Sequence, residues 1–223
     1  MYKDADFLFP SIVPFRLKQA TARLSQYGVR CIEGSADSLP GIESGKYHAV
    51  TVNQVIHHFP SDNNFAFCAE TFKQIFRALA PGGTFTLSTS SHEQFRKGFW
   101  WYKLMPKVTE KYCEMTPDVD RCVALMRDAG FVVDVDEIVV PLQASLMAPD
   151  AYFKYGLEGV FKKDFRDGDS AFSMGGRIGE LATAQAEVRK IQEAGKEADW
   201  IAAAEADRKT VGQATIVTAR KPA

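Results

Sequence analysis

The chain alternates between two spacings of its apolar residues. Helical spacing, with apolar positions recurring every three or four residues, occurs at residues 14–27, 64–79, 117–130 and 178–206. Short runs rich in β-branched residues lie between these segments and predict strands at residues 29–33, 49–54, 84–88, 131–135 and 214–219. Strands that alternate with helices are typical of a mainly parallel sheet with right-handed crossovers. The pattern therefore predicts an α/β fold.

The pattern changes in the second half of the chain. Residues 151–165 are aromatic and basic, residues 167–176 predict a loop, and residues 178–206 predict helical structure before the last strand. A further aromatic segment, residues 93–106, follows the strand at 84–88. It predicts either a lid over an apolar ligand or an amphipathic helix that packs on the edge of the sheet.

The composition limits the classes of function. At 223 residues, of which 46% are hydrophobic, the chain is long enough to bury a substantial core. Its formal net charge is −1, with 27 Lys and Arg residues against 28 Asp and Glu residues, and it contains no basic run. Such a composition indicates no cluster of positive charge that would bind a phosphate backbone, so we expect no nucleic-acid partner.

The cysteines and the N-terminal segment bear on location. The four cysteines show neither a CxxC spacing nor a Cys/His cluster suited to zinc. The N-terminal segment carries Asp4 and Asp6 and lacks the apolar core of a secretory signal. No apolar stretch in the sequence is long enough to span a bilayer. We therefore expect a cytoplasmic protein with reduced thiols and no membrane span.

Candidate chemistry lies in the loops that follow the first three predicted strands. Ligands of open α/β sheets bind outside the carboxyl ends of the strands, so these loops should share one rim. The first loop contains a glycine and an acid, Gly34 and Asp37, and the second contains the adjacent pair His57 and His58. Adjacent side chains point in different directions, so at most one histidine should face the pocket. We predict no metal site, because no carboxylate or thiolate lies near them at helical spacing.

Three short segments resemble one enzyme family. They are Gly34-Ser35-Ala36-Asp37-Ser38-Leu39-Pro40, Asn53-Gln54-Val55-Ile56-His57-His58 and Leu79-Ala80-Pro81-Gly82-Gly83. Together they resemble the second half of the cofactor domain of class I S-adenosylmethionine-dependent methyltransferases, of the methyltransferase type 11-like kind. The resemblance implies a Rossmann-like, mainly parallel sheet, S-adenosylmethionine as the cofactor, and methyl transfer to a small, partly apolar acceptor.

The resemblance also implies roles for individual residues. The loop after the first strand would hold adenine, and the residues implied there are Gly34, Ser35, Ala36 and Asp37. Many family members carry Asp directly after the glycine, where this chain has Ser35. Asn53 and Gln54 would border the methionine part of the cofactor. His58 would border the methyl-transfer site, where an imidazole can polarise an oxygen or nitrogen of the acceptor near neutral pH. The Pro81-Gly82-Gly83 turn would have a geometric role.

The resemblance divides the chain into three parts. Residues 1–140 would form a partial cofactor-binding α/β domain, residues 141–210 a helical insertion or acceptor-side cap, and residues 211–223 the last strand, which returns to the sheet. A competing interpretation is a non-catalytic binding or regulatory protein with a methyltransferase-like fold. A nucleotide-dependent oxidoreductase is disfavoured, because the chain lacks a G-x-G-x-x-G fingerprint.

The chain departs from the family before the first of these segments. Family members begin with a strand, a glycine-rich turn and an acid for the ribose, whereas here only Gly28 precedes Gly34 and Ser11 stands at the position of the acid. The missing strand is central in the family, beside the strand at 49–54, so its loss would leave an uncovered edge. Three explanations are a truncated form of an active enzyme, a substitute strand from residues 1–10, and a homodimer that covers the edge. We expect the first.

Overall fold

The computed structural model describes residues 8–11, 14–27, 30–133, 138–139 and 154–223. Its strands are β1 (Leu8–Ser11), β2 (Arg30–Glu33), β3 (Tyr47–Asn53), β4 (Leu79–Thr89), β5 (Val132–Val133), β6 (Ile138–Val139) and β7 (Thr215–Arg220). Its helices are α1 (Pro14–Leu24), α2 (Asp62–Ala78), α3 (His92–Lys97), α4 (Trp100–Lys103), α5 (Pro106–Met115), α6 (Val119–Asp128), α7 (Lys163–Arg166), α8 (Ser170–Arg177), α9 (Glu180–Glu193) and α10 (Glu197–Val211). Short 3₁₀ turns lie at Ser25–Tyr27, Ile56–His58 and Gly156–Phe161. None of the helices described is both long and apolar enough to cross a membrane.

The larger sheet is mainly parallel. Its strand order is β3, β4, β7, β5, and β6 also pairs with β7. β3 and β4 are parallel, whereas β7 lies antiparallel between β4 and β5. β3, β4 and β5 therefore run in the same direction and β7 runs against them. The α/β fold with a mainly parallel sheet is confirmed, with β7 as an antiparallel exception.

A smaller parallel sheet is formed by β1 and β2, which are joined by α1. The two strands pair from Leu8 opposite Arg30 to Ser11 opposite Glu33. Residues 8–11 thus form a strand, as the substitute-strand explanation requires, but this strand pairs with β2 and not with β3. Within the described residues β3 pairs with β4 alone, so the other edge of β3 carries no strand.

The Pro81-Gly82-Gly83 turn lies inside β4, which begins earlier than the predicted strand at residues 84–88. Gly82 has a φ of 76°, and its N–H donates to the carbonyl oxygen of Lys221 at 3.0 Å. A Cβ at Gly83 would lie 2.9 Å from the carbonyl oxygen of Ala80. Both glycines are therefore needed by the backbone geometry of the strand.

Helices α2 and α6 cover one face of the larger sheet. The buried apolar residues of this first core are Ile56, Cys68, Phe72, Ile75, Leu79, Phe85, Leu87, Val119, Cys122, Leu125, Met126, Phe131, Val133, Val217 and Ala219. On α2 the buried positions Cys68, Phe72 and Ile75 recur every three or four residues, which is the pattern that predicted this helix. Burial of one such large side chain stabilises the fold by roughly 2 kcal/mol.

A second core lies in what we term the helical unit, residues 92–115 and 156–211. Its buried residues are Phe95, Phe99, Trp100, Trp101, Tyr102, Leu104, Met105, Val108, Tyr112, Cys113, Leu157, Val160, Ala171, Phe172, Ala184, Val188, Ile191 and Ala204. The aromatic segment at residues 93–106 supplies the first of these, and its large rings contribute much apolar area. Trp101, the most exposed of the three rings Trp100, Trp101 and Tyr102, is only 8% exposed. The segment is therefore core, not an open lid.

One prediction for the helical unit is wrong and another is incomplete. Residues 167–176 are not a loop throughout, because they contain most of α8, which is capped by the carboxylate of Asp169 accepting the Ala171 N–H at 2.8 Å. Residues 178–206 are mostly helical as predicted, but they form two helices, α9 and the first part of α10, which are separated at Gly195, whose φ is 66°. A left-handed residue at that position ends the first helix.

Candidate functional site

The carboxyl ends of β3 and β4 are tied together at Gln54. The N–H of Gln54 donates to the carbonyl oxygen of Ser88 at 2.8 Å, and its side-chain Nε2 donates to Ser88 Oγ at 3.2 Å. Gln54 has a φ of 46°, in the left-handed region that side chains other than glycine rarely adopt. Backbone strain of this kind is characteristic of functional sites. This turn therefore marks the rim of the sheet as the candidate site.

Ser90 connects the same rim to the last part of the chain. Its hydroxyl donates to the carbonyl oxygen of Gln213 at 2.8 Å and lies 3.4 Å from Oε1 of Gln54. Gln213 in turn donates from Nε2 to the carbonyl oxygen of Gly98 at 2.9 Å. These buried bonds fix the helical unit against the carboxyl edge of the sheet.

The two histidines lie on the 3₁₀ turn that follows Gln54. Ile56, which is 1% exposed, anchors this turn in the core beneath the sheet. His57 is half-buried, and the centre of its ring lies 5.8 Å from that of Tyr112 on α5 in an edge-on arrangement. His58 is exposed, and its ring centre lies 4.0 Å from that of His57. The two rings therefore pack against each other at an angle of 51°, and do not diverge as the sequence analysis expected. The role predicted for His58 stays a prediction.

Tyr112 and Ser170 extend the site into the helical unit. A hydrogen bond of 2.6 Å joins the two hydroxyl oxygens, either of which can donate. Tyr112 is 2% exposed, and burial raises the pKa of its phenol. Ser170 is exposed, so this bond lies where the second core meets the surface. The ring of Tyr112 is the part of the pair that contacts His57. Sequence analysis missed both residues, because 58 positions separate them.

A carboxylate lies directly behind this hydroxyl pair. Asp169 accepts a hydrogen bond from Nε1 of Trp101 at 3.0 Å, and the hydroxyl of Tyr102 lies 3.5 Å away from its other oxygen. Burial raises the pKa of the Asp169 carboxyl, while the bonds that it accepts oppose that shift. The start of α8 does have a signal in the sequence, because Asp169, directly before Ser170, is a residue type that favours the N-cap position of a helix.

The loop predicted to hold adenine closes on itself. The N–H of Leu39 donates to the carbonyl oxygen of Ser35 at 2.9 Å, and Leu39 packs against the first core. A Cβ at Gly34 would lie 2.6 Å from Cγ of Pro40, so this position requires glycine. In the described part of the chain, the N–H groups of Ala36 and Asp37 make no hydrogen bond to protein. They are therefore available to a ligand.

Two buried cysteines, Cys68 and Cys113, are poor nucleophiles. They are free thiols. Burial raises the pKa of Cys68 to about 12 and that of Cys113 to about 11. Neither thiol is ionised near neutral pH, so neither provides a thiolate for catalysis.

A mainly parallel sheet with an antiparallel β7 and a polar carboxyl edge defines a Rossmann-like methyltransferase fold. Residues 10–87 match the family model of the methyltransferase domain, which confirms the resemblance to S-adenosylmethionine-dependent methyltransferases found in the sequence. No curated protein matches the chain.

Solved structures agree on the fold. A protein from Anabaena variabilis, described as a methyltransferase from an antibiotic biosynthesis pathway, has 16% identity and a TM-score of 0.66 over 97% of this chain and 91% of its own. Geranyl diphosphate methyltransferase in complex with S-adenosylmethionine has 12% identity and a TM-score of 0.51 over 97% and 69%. The [4+2]-cyclase SpnF has 18% identity and a TM-score of 0.53 over 99% and 67%. At such identities the likeness establishes the fold and not the reaction.

The residues present fit one end of S-adenosylmethionine. The free N–H groups of Ala36 and Asp37 and the half-buried carboxylate of Asp37 suit the nitrogen edge of adenine. At the ribose position the strand register sets Glu33 opposite Ser11, so an acid lies on the neighbouring strand. The loop after β2 is the part of the described chain that fits the cofactor.

Proposed function

We propose that this chain acts in S-adenosylmethionine-dependent methyl transfer to a small, partly apolar acceptor. The observation that carries the proposal is the strained turn at Gln54, which ties the carboxyl ends of β3 and β4 and leads directly into the histidine pair. The match of residues 10–87 to the methyltransferase domain supports it. We also propose a cytoplasmic location, in which free thiols stay reduced.

The proposed cofactor contacts lie on the loop that follows β2 and at the end of β3. The loop containing Gly34, Ser35, Ala36 and Asp37 would hold adenine. Asn53, which is exposed at the end of β3, and Gln54 would border the methionine moiety. When bound, the cofactor supplies a methyl group on a sulfonium centre. The residues of this chain contribute mainly orientation, because direct displacement at that methyl group requires an in-line approach of the acceptor.

The proposed acceptor position lies between the 3₁₀ turn and the helical unit. His57, Tyr112 and Ser170 line this position from one side, and His58 lies exposed beside them. The hydroxyl pair can donate to or accept from an oxygen or nitrogen of the acceptor, and His58 can take its proton near neutral pH. In an acceptor screen, we expect H58Q to lower the rate and to leave the affinity for S-adenosylhomocysteine unchanged.

Calorimetric titration of S-adenosylhomocysteine into the 223-residue chain tests the proposal. We expect saturable binding, and D37A should weaken it about tenfold through the loss of a charged hydrogen-bonding group. D128A is a matched control, because Asp128 is an exposed acid at the end of α6. Equal affinity of D37A and D128A would remove the adenine assignment.

A non-catalytic binding or regulatory protein is the second candidate. It is favoured by the edge of β3, which no described strand covers and which could bind a partner. SpnF, a [4+2]-cyclase, has a similar fold, so such a fold is compatible with other chemistry. A folded chain that fails to bind S-adenosylhomocysteine would favour this candidate over methyl transfer.

A further inference from the structure

One edge of β3 presents backbone groups that no strand in the described part of the chain pairs with. Because the N–H of Gln54 donates to Ser88 and backbone directions alternate along a strand, the even-numbered residues of β3 face β4. The N–H and C=O groups of Ala49, Thr51 and Asn53 therefore face the opposite edge. Within the described residues no strand pairs with them.

The side chains of this edge lack the usual protection. Strands at natural sheet edges carry Lys, Pro or inward charges, or are very short, which prevents pairing with other chains. β3 has seven residues, YHAVTVN, with no Pro, Lys, Arg, Asp or Glu. Ala49, Thr51 and Asn53 are all exposed. By contrast, β5 at the other end of the sheet has only two residues in the part of the chain described.

We propose that this edge binds a second copy of the chain through antiparallel pairing of β3 with β3. A two-fold axis at Thr51 sets Thr51 opposite Thr51 of the second copy and Ala49 opposite Asn53 of the second copy. Each residue with outward backbone groups then meets another such residue, so the free N–H and C=O groups of both edges are paired. The proposal is independent of methyl transfer.

Two features favour a second copy over an unrelated partner. The pairing places no like charges opposite one another, and it places two threonines in a favourable cross-strand pair. Isologous pairing also closes on itself, because it uses the β3 edge of both copies and leaves no β3 edge to recruit a third chain. The resulting dimer contains a single sheet that continues across both copies.

Size-exclusion chromatography with light scattering, over a wide range of concentrations, tests the proposal. We expect a concentration-dependent dimer of the 24.8 kDa chain. T51K sets two positive charges opposite each other, so its dissociation constant should rise at least about tenfold. V132K is the matched control, because Val132 is 57% exposed on β5, at the other end of the sheet, and its dimer should be unchanged.

Three results would overturn the proposal: a monomer at every concentration, a dimer that persists in T51K, or assemblies that grow beyond the dimer. Circular dichroism establishes that each variant is folded. Should T51K not fold, hydrogen exchange of the unmodified chain followed by NMR decides the question. The amides of Ala49, Thr51 and Asn53 should exchange more slowly as concentration rises, and rates independent of concentration would refute the pairing. The titration with S-adenosylhomocysteine reports separately on the cofactor site.

Discussion

The hydroxyl of Tyr112 lies 2.6 Å from the hydroxyl of Ser170, which joins α5 to the first residue of α8. The tyrosine is buried and the serine is exposed, so the bond spans from the second core to the surface beside His57. It connects the two stretches of sequence that make up the helical unit.

The bond between Tyr112 and Ser170 should contribute about 1 kcal/mol to the free energy of unfolding. We expect Y112F and S170A each to lose about that amount. Because both changes remove the same bond, the double variant should lose no more than either single variant. Urea denaturation of the four proteins gives the interaction energy directly. Losses that simply add would show that the two hydroxyls do not interact in solution.

The sequence predicted the elements with strong periodicity and missed those set by single residues. The α2 helix, predicted at 64–79, runs over Asp62–Ala78, because its apolar stripe repeats over several turns. α8 was missed because it is short and its start depends on one cap, Asp169, within a stretch rich in turn-forming residues. The break at Gly195 was missed because helix-forming residues lie on both sides of it.

The candidate site also has one part that could be predicted from the sequence and one that could not. The link between Gln54 and Ser88 could be predicted, because the parallel neighbours β3 and β4 present their carboxyl ends at one edge. The loop at Gly34–Asp37 was predicted on the same edge, but it follows β2, which pairs with β1 in the smaller sheet. The link between Tyr112 and Ser170 could not, because it depends on how two distant helices pack. Local pattern determines which residues end a strand, whereas tertiary packing determines which side chain from elsewhere lies above them.

The buried carboxylate of Asp169 should make stability depend on pH. Its pKa is raised above the ordinary value of 3.8, chiefly by burial, so the folded protein holds this proton more tightly than the unfolded chain does. Stability from this group is therefore fully present below the ordinary pKa and is lost as pH rises through the raised value. D169N has no such proton. Between about pH 4 and 7, the free energy of unfolding should fall in the unmodified protein relative to D169N, and curves that run parallel would contradict this.

Because the backbone at Gln54 is left-handed, glycine at this position should give a more stable protein than alanine, which is the reverse of the usual order. Q54A loses the side-chain bond to Ser88 and retains the unfavourable φ, whereas Q54G loses the bond and relieves the strain. We expect Q54G to be more stable than Q54A by about 1 kcal/mol in urea denaturation. At Asn53, inside β3, the order should be reversed, because glycine weakens a regular strand. The same order at both positions would exclude strain at Gln54.

The break between α9 and α10 should depend on the absence of a side chain at Gly195. The N–H of Gly195 donates to the carbonyl oxygen of Gln192 at 2.9 Å, and the N–H of Lys196 donates to the carbonyl oxygen of Ile191 at 3.0 Å. These two hydrogen bonds form a Schellman motif. A Cβ would meet no atom within 4 Å at either Gly195 or Gly176, so the two glycines differ in backbone conformation and not in available space. G195A should lose about 1 kcal/mol of unfolding free energy because its φ is 66°. G176A, inside α8, should gain up to about 1 kcal/mol from the higher helix propensity of alanine. Thermal denaturation of the pair measures both effects, and equal shifts in the two variants would rule out the left-handed conformation at Gly195.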